Sequence, residues 1–279
     1  MILSGIGMLI AVALPVVCGL AVNDVILRRC PLRLWTRVCL AYGTGLGRIV
    51  SWMMILSILN CRYSLAVISG PLLIFSFIVR CISQKASLGN RNTDPAYSIH
   101  PVRSVESTGL NPRLLIGAAA LSFIILEVTF VFWQSLAWLP YTWDEVGNFA
   151  LKAKIIYFDG HLGNVDKYTY FRGEHPLFIA LTEAWAAFAL GRWDYCLVKI
   201  IFPVMLVSFL GTSYFVLRCF AGRLWSLLGL VFLLSSQLLI KQASIGYADF
   251  SMQYYNSTAL MLIILATTNR RSEFLVMPA

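Results

Sequence analysis

Two carboxylates stand side by side at Asp144 and Glu145, in the stretch YTWDEVGNF that directly follows an apolar run. The chain has only 13 acidic residues in 279, so an adjacent pair is a notable use of them. Such a pair can take a proton from a hydroxyl group, offset positive charge developing on a reacting carbon, or contribute to a metal site. Further along, GEHP sets Glu174 and His175 before Pro176, Lys199 lies near the start of a later apolar run, and Asp249 precedes the last one. Lys199, and His175 when protonated, are of the kind that hold a phosphate group. Each position also has a plainer use. An acid pair outside an apolar run can be a solvated flank, and Glu174-His175 can cap the next helix. Lys199 can snorkel toward headgroups, and Asp249 can cap the last helix.

The elements that must position these residues are apolar and long. Hydrophobic residues make up 59% of the chain and charged residues 13%, with a mean hydropathy of +0.76. Soluble domains run at roughly 45–50% apolar and about 25% charged. Apolar runs cover residues 2–22, 38–59, 64–82, 114–138, 196–217, 224–240 and 252–268. Runs of about 20 residues imply an all-α polytopic membrane protein, with about seven transmembrane helices. The net charge of +9 does not point to nucleic acid, because the basic residues sit in short loops between apolar runs. The seven cysteines form no CxxC pair and have no histidine at zinc spacing, so they read as small apolar filler. No basic segment precedes the first apolar run, which reads as an uncleaved first span.

Charge placement sets the expected orientation. Residues 23–37 carry Arg28, Arg29, Arg33 and Arg37; residues 83–113, rich in Ser, Asn and Pro, carry Lys85, Arg91, Arg103 and Arg113. If both are cytoplasmic, Asp144-Glu145 emerges on the far face. The short run 176–190 then decides the orientation of all later helices. It contains Glu183 and is too short for an ordinary span. As a re-entrant or interfacial helix it leaves Arg218, Arg223, Arg270 and Arg271 on the cytoplasmic side, as the positive-inside rule requires. Residues 139–194 become one outer-face loop. Within it Val146, Phe149, Ala150, Ala153 and Tyr157 recur at helical spacing, predicting an amphipathic helix lying in the interface with Asn148 and Lys152 on its other faces. Three regions result: an N-terminal three-span accessory region (1–82), a cytoplasmic linker (83–113) and a core (114–279).

The order of features from the run at 114–138 onward resembles the GT-C membrane glycosyltransferases. The similarity is greatest to the protein O-mannosyltransferase and aminoarabinose lipid A transferase branch. It rests on the acid pair WDE opening an outer loop, EHP closing it, and a short helix ending in AFALG. Lys199 early in the next span, the RCFAGR turn and Asp249 before another span complete it. The chain has Lys199 where that branch uses arginine and one proline after His175 where two are common. It ends at LVMPA, where the family continues.

The resemblance implies transfer of a sugar from a polyprenyl-phosphate donor to a lipid, glycan or protein acceptor on the extracytoplasmic face of an integral membrane protein. It implies catalytic roles for Asp144, Glu145 and Asp249, lipid-phosphate binding by His175 and Lys199, and a supporting role for Glu174. No cofactor is specified; a divalent metal at Glu145 and Glu174 stays open. The rival expectation is a transporter or flippase, in which Arg48, Glu127 and Lys199 would line a midplane path. An inactive glycosyltransferase fragment is a third. Arg48 lies too deep in its run to snorkel easily, and Glu127, midway along residues 114–138, is a candidate partner whose contact with it the sequence does not demonstrate. Trp133, Trp138, Tyr141 and Trp143 read as an interfacial belt. The Asn256 sequon falls within a predicted span and is discounted.

Overall fold

A computed structural model describes residues 2–26, 34–88, 112–163 and 177–275. Glu174, His175 and Pro176 lie outside the described residues, as do Arg28, Arg29, Arg33 and most of the linker. The described residues are helical, with no strand among them: α1 (Ile2–Ile26), α2 (Leu34–Ile58), α3 (Leu65–Leu88) and α4 (Pro112–Ala137). A π-helical turn (Asp144–Ala150) then leads into α5 (Leu151–Asp159), followed by α6 (Leu177–Leu190). A 3-10 turn (Leu197–Ile200) leads into α7 (Ile201–Phe220), and α8 (Arg223–Leu234), α9 (Gln237–Ile245) and α10 (Ala248–Leu275) complete the order.

Five of these helices are long and apolar enough to cross a membrane: α1 to α4, and α7 with the 3-10 turn that precedes it. The chain is therefore a membrane-embedded helical protein. The apolar run at residues 224–240 reads as a single span, but the structure differs. The run breaks at Ser235-Ser236, and α8 and α9 meet at 69°. The Ser236 hydroxyl accepts from the Leu239 backbone N–H at 3.5 Å, which starts a new helix where the old one would have continued. α10 is long but carries Asp249, Asn256, Ser257 and Thr258 and is not among the five. α3 continues past the predicted end of its span to Leu88.

Proline inside a helix removes one N–H and leaves the carbonyl four residues earlier without its donor. Three helix-borne prolines do this, and a side chain of another helix fills each gap. Pro15 in α1 frees the Ala11 carbonyl, which accepts from the Trp185 indole of α6 at 3.3 Å. Pro71 in α3 frees that of Val67, which accepts from the Trp52 indole of α2 at 3.2 Å. Pro203 in α7 deprives the Lys199 carbonyl of its helical donor, and the Ser135 hydroxyl of α4 donates to it at 3.2 Å. Each breaker becomes a directional contact between helices in surroundings where an unpaired carbonyl is costly.

α1 and α2 pack most closely. A Cβ on Gly45 would lie 1.6 Å from the Pro15 carbonyl oxygen, so the two backbones meet where only glycine fits. A buried polar group ties α2, α7 and α10 together. The Ser208 hydroxyl lies 2.5 Å from the Cys39 carbonyl and 2.8 Å from the Tyr254 hydroxyl, and the Tyr255 hydroxyl donates to the Gly43 carbonyl at 2.9 Å. Residues read as the accessory region, such as Leu46 and Met53, share one apolar core with Trp185, Met205 and Phe250.

Contacts sort the helix ends. The Tyr63 N–H in the α2–α3 turn bonds the Gly160 carbonyl at the end of α5 at 2.8 Å. Gly7 at the start of α1 abuts Leu190 at the end of α6. The end of α4, the start of α7 and the α9–α10 turn all meet the Asp144–Ala150 turn, through Trp138, Lys199 and Tyr247. α6 lies beside the π-helical turn and α5, with Ile179 near Phe149 and Phe188 ringed by Tyr157 and Tyr63. One end of the bundle thus collects Asp144, Glu145 and Asp249.

Candidate functional site

Helix α4 ends at Ala137, and the chain crosses an exposed aromatic ladder of Trp133, Trp138 and Tyr141, with ring centroids 6.0 and 6.4 Å apart, before turning into Asp144–Ala150. This turn is π-helical: the Leu151 N–H bonds to the Val146 carbonyl, five residues back. The wider turn shifts the helical phase and changes which face looks inward. The inward face keeps Phe149, Ala150 and Ala153 of the predicted apolar stripe and adds Glu145, Asn148, Lys152 and Ile156. Val146, assigned to the apolar face by spacing, is 43% exposed. The segment packs on the protein with its polar side chains turned in.

Glu145 and Lys199 form a buried ion pair, 3.2 Å apart, with side chains 1% and 2% exposed. The second carboxylate oxygen of Glu145 accepts from the Tyr141 N–H at 3.2 Å, and the Lys199 ammonium also donates to the Trp138 carbonyl at 2.9 Å. One lysine thus holds both the end of the α4 connection and the π-helical turn, and Ser135 holds the backbone carbonyl of the same lysine. Asp194 supports the approach to this lysine by accepting from the N–H groups of Cys196 and Leu197 at 3.0 and 3.1 Å.

Asp144, on the other side of the turn, is half-buried. One carboxylate oxygen accepts from the Asn148 amide at 2.9 Å and the other from the Tyr247 hydroxyl at 3.1 Å. Tyr247 is placed by Gly246, whose left-handed φ of 72° ends α9; a Cβ there would also run into the Phe202 ring. Two residues on, Asp249 sits exposed in the first turn of α10 and accepts from the Gln242 amide at 3.3 Å. It favours the helix dipole from inside the first turn.

A third carboxyl lies behind the pair. Glu183 on α6 is 1% exposed, and one of its oxygens is buried without a hydrogen-bond partner among the described residues. α6 is not one of the five spans. Burial pushes the Glu183 carboxyl up to about 8; the Glu145 charge adds to the rise and Lys199 opposes it. The neutral form relieves an apolar site of a net negative charge.

The structure therefore brings Asp144, Glu145 and Lys199 together, and places Asp249 at the same end through Tyr247. Arg48 and Glu127 are not joined. The Arg48 guanidinium donates to the Cys18 carbonyl at 2.9 Å and lies 4.7 Å over the Phe75 ring, while Glu127 lines a groove on α4 with Leu126 and Phe130. Asn148, Tyr247 and Glu183 were not predicted as site members. Asn148 was open to inference as the i+4 neighbour of Asp144, whereas the contact with Tyr247 spans 103 residues. For a divalent metal the described residues do not fit. Both Glu145 oxygens are engaged, an ammonium sits where a cation would bind, and no group of three metal-ligating side chains occurs among them. Comparison of the chain with protein-family models, curated proteins and solved structures finds no match.

Proposed function

We propose that the chain is a membrane glycosyltransferase that moves a sugar from a polyprenyl-phosphate donor to an acceptor hydroxyl on the extracytoplasmic face. The observation that carries this is the fixed, partly accessible Asp144 carboxylate at the end of a span, backed by the buried Glu145–Lys199 pair. A donor with its prenyl chain in the bilayer presents its sugar at that depth. Asp144 takes the acceptor proton as the acceptor oxygen bonds to the anomeric carbon. The bond from that carbon to the phosphate oxygen breaks, and its electron pair leaves with the lipid phosphate. Fixing a base by two hydrogen bonds preserves the positioning on which rate depends. Glu145 acts through placement of the turn. Lys199 spends two N–H groups on Glu145 and Trp138, and has a third with which to meet a phosphate oxygen. His175 would supply the second phosphate contact, and Asp249 a second carboxylate near the acceptor.

The orientation belongs to the same proposal: seven crossings, counting the bent α8–α9 pair and α10, with α6 re-entrant. Its support is that both ends of α6 touch residues grouped with the Asp144 turn. The transporter reading gains no support from an Arg48–Glu127 pair, since the two have other neighbours; what favours it is the buried Glu145–Lys199–Glu183 cluster. The two readings separate by experiment. Purified protein in vesicles, given a labelled polyprenyl-phosphate sugar and an acceptor extract, should release lipid phosphate in step with new glycoside. Movement of intact donor across the bilayer without bond cleavage would favour transport.

A further inference from the structure

The end of the bundle opposite Asp144 holds a second site of different chemistry. α1 runs from Gly7, against Leu190, to Asp24, about 25 Å further along its axis at about 1.5 Å per residue. There the last turns of α1 and α3 and the first turn of α2 enclose a pocket lined by Leu20, Asp24, Leu34, Arg37, Arg80 and Ser83. Two arginines against one aspartate leave it with a net positive charge.

The hydrogen bonding of these residues is incomplete. Arg37 reaches Asp24 through Nη1, at 3.6 Å, while its Nε is buried without a partner among the described residues. By covalent geometry Nε and Nη2 share the other edge of the guanidinium, so the edge suited to two parallel bonds with a phosphate is not the one turned to Asp24. The neighbouring Asn23 is 4% exposed and its amide nitrogen is also unpartnered among them. Arg80 forms no ion pair among the described residues, and Ser83 offers a hydroxyl beside it. A buried donor without an acceptor is costly, and one beside a positively charged pocket points to an anion. Leu20 and Leu34 give the pocket an apolar wall. Ile78 and Ile82, 49% and 63% exposed on α3, provide a surface for an acyl chain.

We propose that this pocket binds the phosphate of an anionic phospholipid, with Arg37 and Arg80 making the charge-assisted contacts and the chains lying along α3. The site is independent of the chemistry at Asp144. Basic pockets at helix ends that hold lipid headgroups act through this combination of charge and apolar wall.

The test uses the full chain purified in mild detergent, with binding of phosphatidylglycerol, phosphatidylcholine and inorganic phosphate followed by native mass spectrometry and thermal stability. Phosphatidylglycerol should bind one to one and raise the melting temperature; phosphatidylcholine and inorganic phosphate should do neither. Arg80→Gln and Arg37→Gln should each weaken phosphatidylglycerol binding about ten- to a hundredfold. Arg80 is exposed, so its variant carries the test if Arg37→Gln does not fold. Arg223→Gln, exposed at the start of α8, should leave binding unchanged. Equal loss in Arg223→Gln would show diffuse surface attraction. Equal binding of phosphatidylcholine would show ordinary lipid solvation. Inorganic phosphate binding as tightly as the lipid would show a free-anion site. Any of these overturns the proposal.

Discussion

At the scale of single residues, the buried Glu145–Lys199 pair controls what mutagenesis at this site can show. Removing one partner of a buried pair typically costs about 3–5 kcal/mol, because the other charge is stranded. Glu145→Gln and Lys199→Ala are therefore expected to lower stability as well as any activity, and neither alone isolates a phosphate contact. A double-mutant cycle resolves this. Glu145→Gln with Lys199→Met should destabilise far less than the sum of the single changes when unfolding of the purified protein is measured. Additive losses would mean that the pair is not coupled in the membrane. Glu183 adds a pH dependence of definite sign. Its folded value of about 8 lies above the ordinary 4.5, so its contribution is fully present below about 4.5 and is lost as pH rises through about 8. Thermal stability should fall across that window, and Glu183→Gln should flatten the fall; an unchanged slope would assign the dependence to other groups. In the sequence Asp144, Glu145 and Lys199 were legible as candidates because charge is rare in this chain. That Glu145, not Asp144, meets Lys199 was not, because it depends on the phase of the π-helical turn.

At the scale of elements, the bundle is joined where its helices are locally broken. Trp185→Phe keeps most of the buried ring but leaves the Ala11 carbonyl unpaired, which should cost about 1–3 kcal/mol. In a Pro15→Ala background the helix supplies its own donor to Ala11, so the same substitution should cost much less, as unfolding of the single and double variants would reveal. Equal cost in both backgrounds would mean that the indole contributes by packing alone. The sequence shows the prolines and tryptophans plainly. It does not show their pairing, which spans 174 residues in this case. The apolar runs at α1 to α4 and α7 were legible because length and hydropathy suffice to identify them. The break in the run at 224–240 is signalled only by Ser235-Ser236-Gln237, a short polar step inside an otherwise apolar run. A helical segment stands at 144–159 where the spacing predicts one, but its inward face is only partly the predicted one: Phe149, Ala150 and Ala153 turn in, while Val146 turns out and Glu145, Asn148 and Lys152 turn in, since spacing alone assumes an unbroken 3.6-residue turn.

At the scale of the whole molecule, the proposed orientation puts Asp144 outside and the Arg37–Arg80 pocket inside. With the seven native cysteines replaced, single cysteines at Gly222 and Asn269 should both resist an impermeant thiol reagent added from outside. Labelling of both would make α6 a crossing and reverse everything after it. The orientation gives the acid-rich end a donor confined to the bilayer and an acceptor arriving from outside. The most direct measurement is sugar transfer and donor binding measured side by side for Asp144→Asn in vesicles. The substitution keeps size but cannot accept a proton, and losing a general base typically costs about a hundredfold to ten-thousandfold in rate. Transfer should fall by that much while binding of the polyprenyl-phosphate donor persists, with Tyr247→Phe, which removes one bond to Asp144, falling less. Transfer by Asp144→Asn within a few-fold of the parent would contradict the account, and the acid pair would then be a solvated flank held by its neighbours.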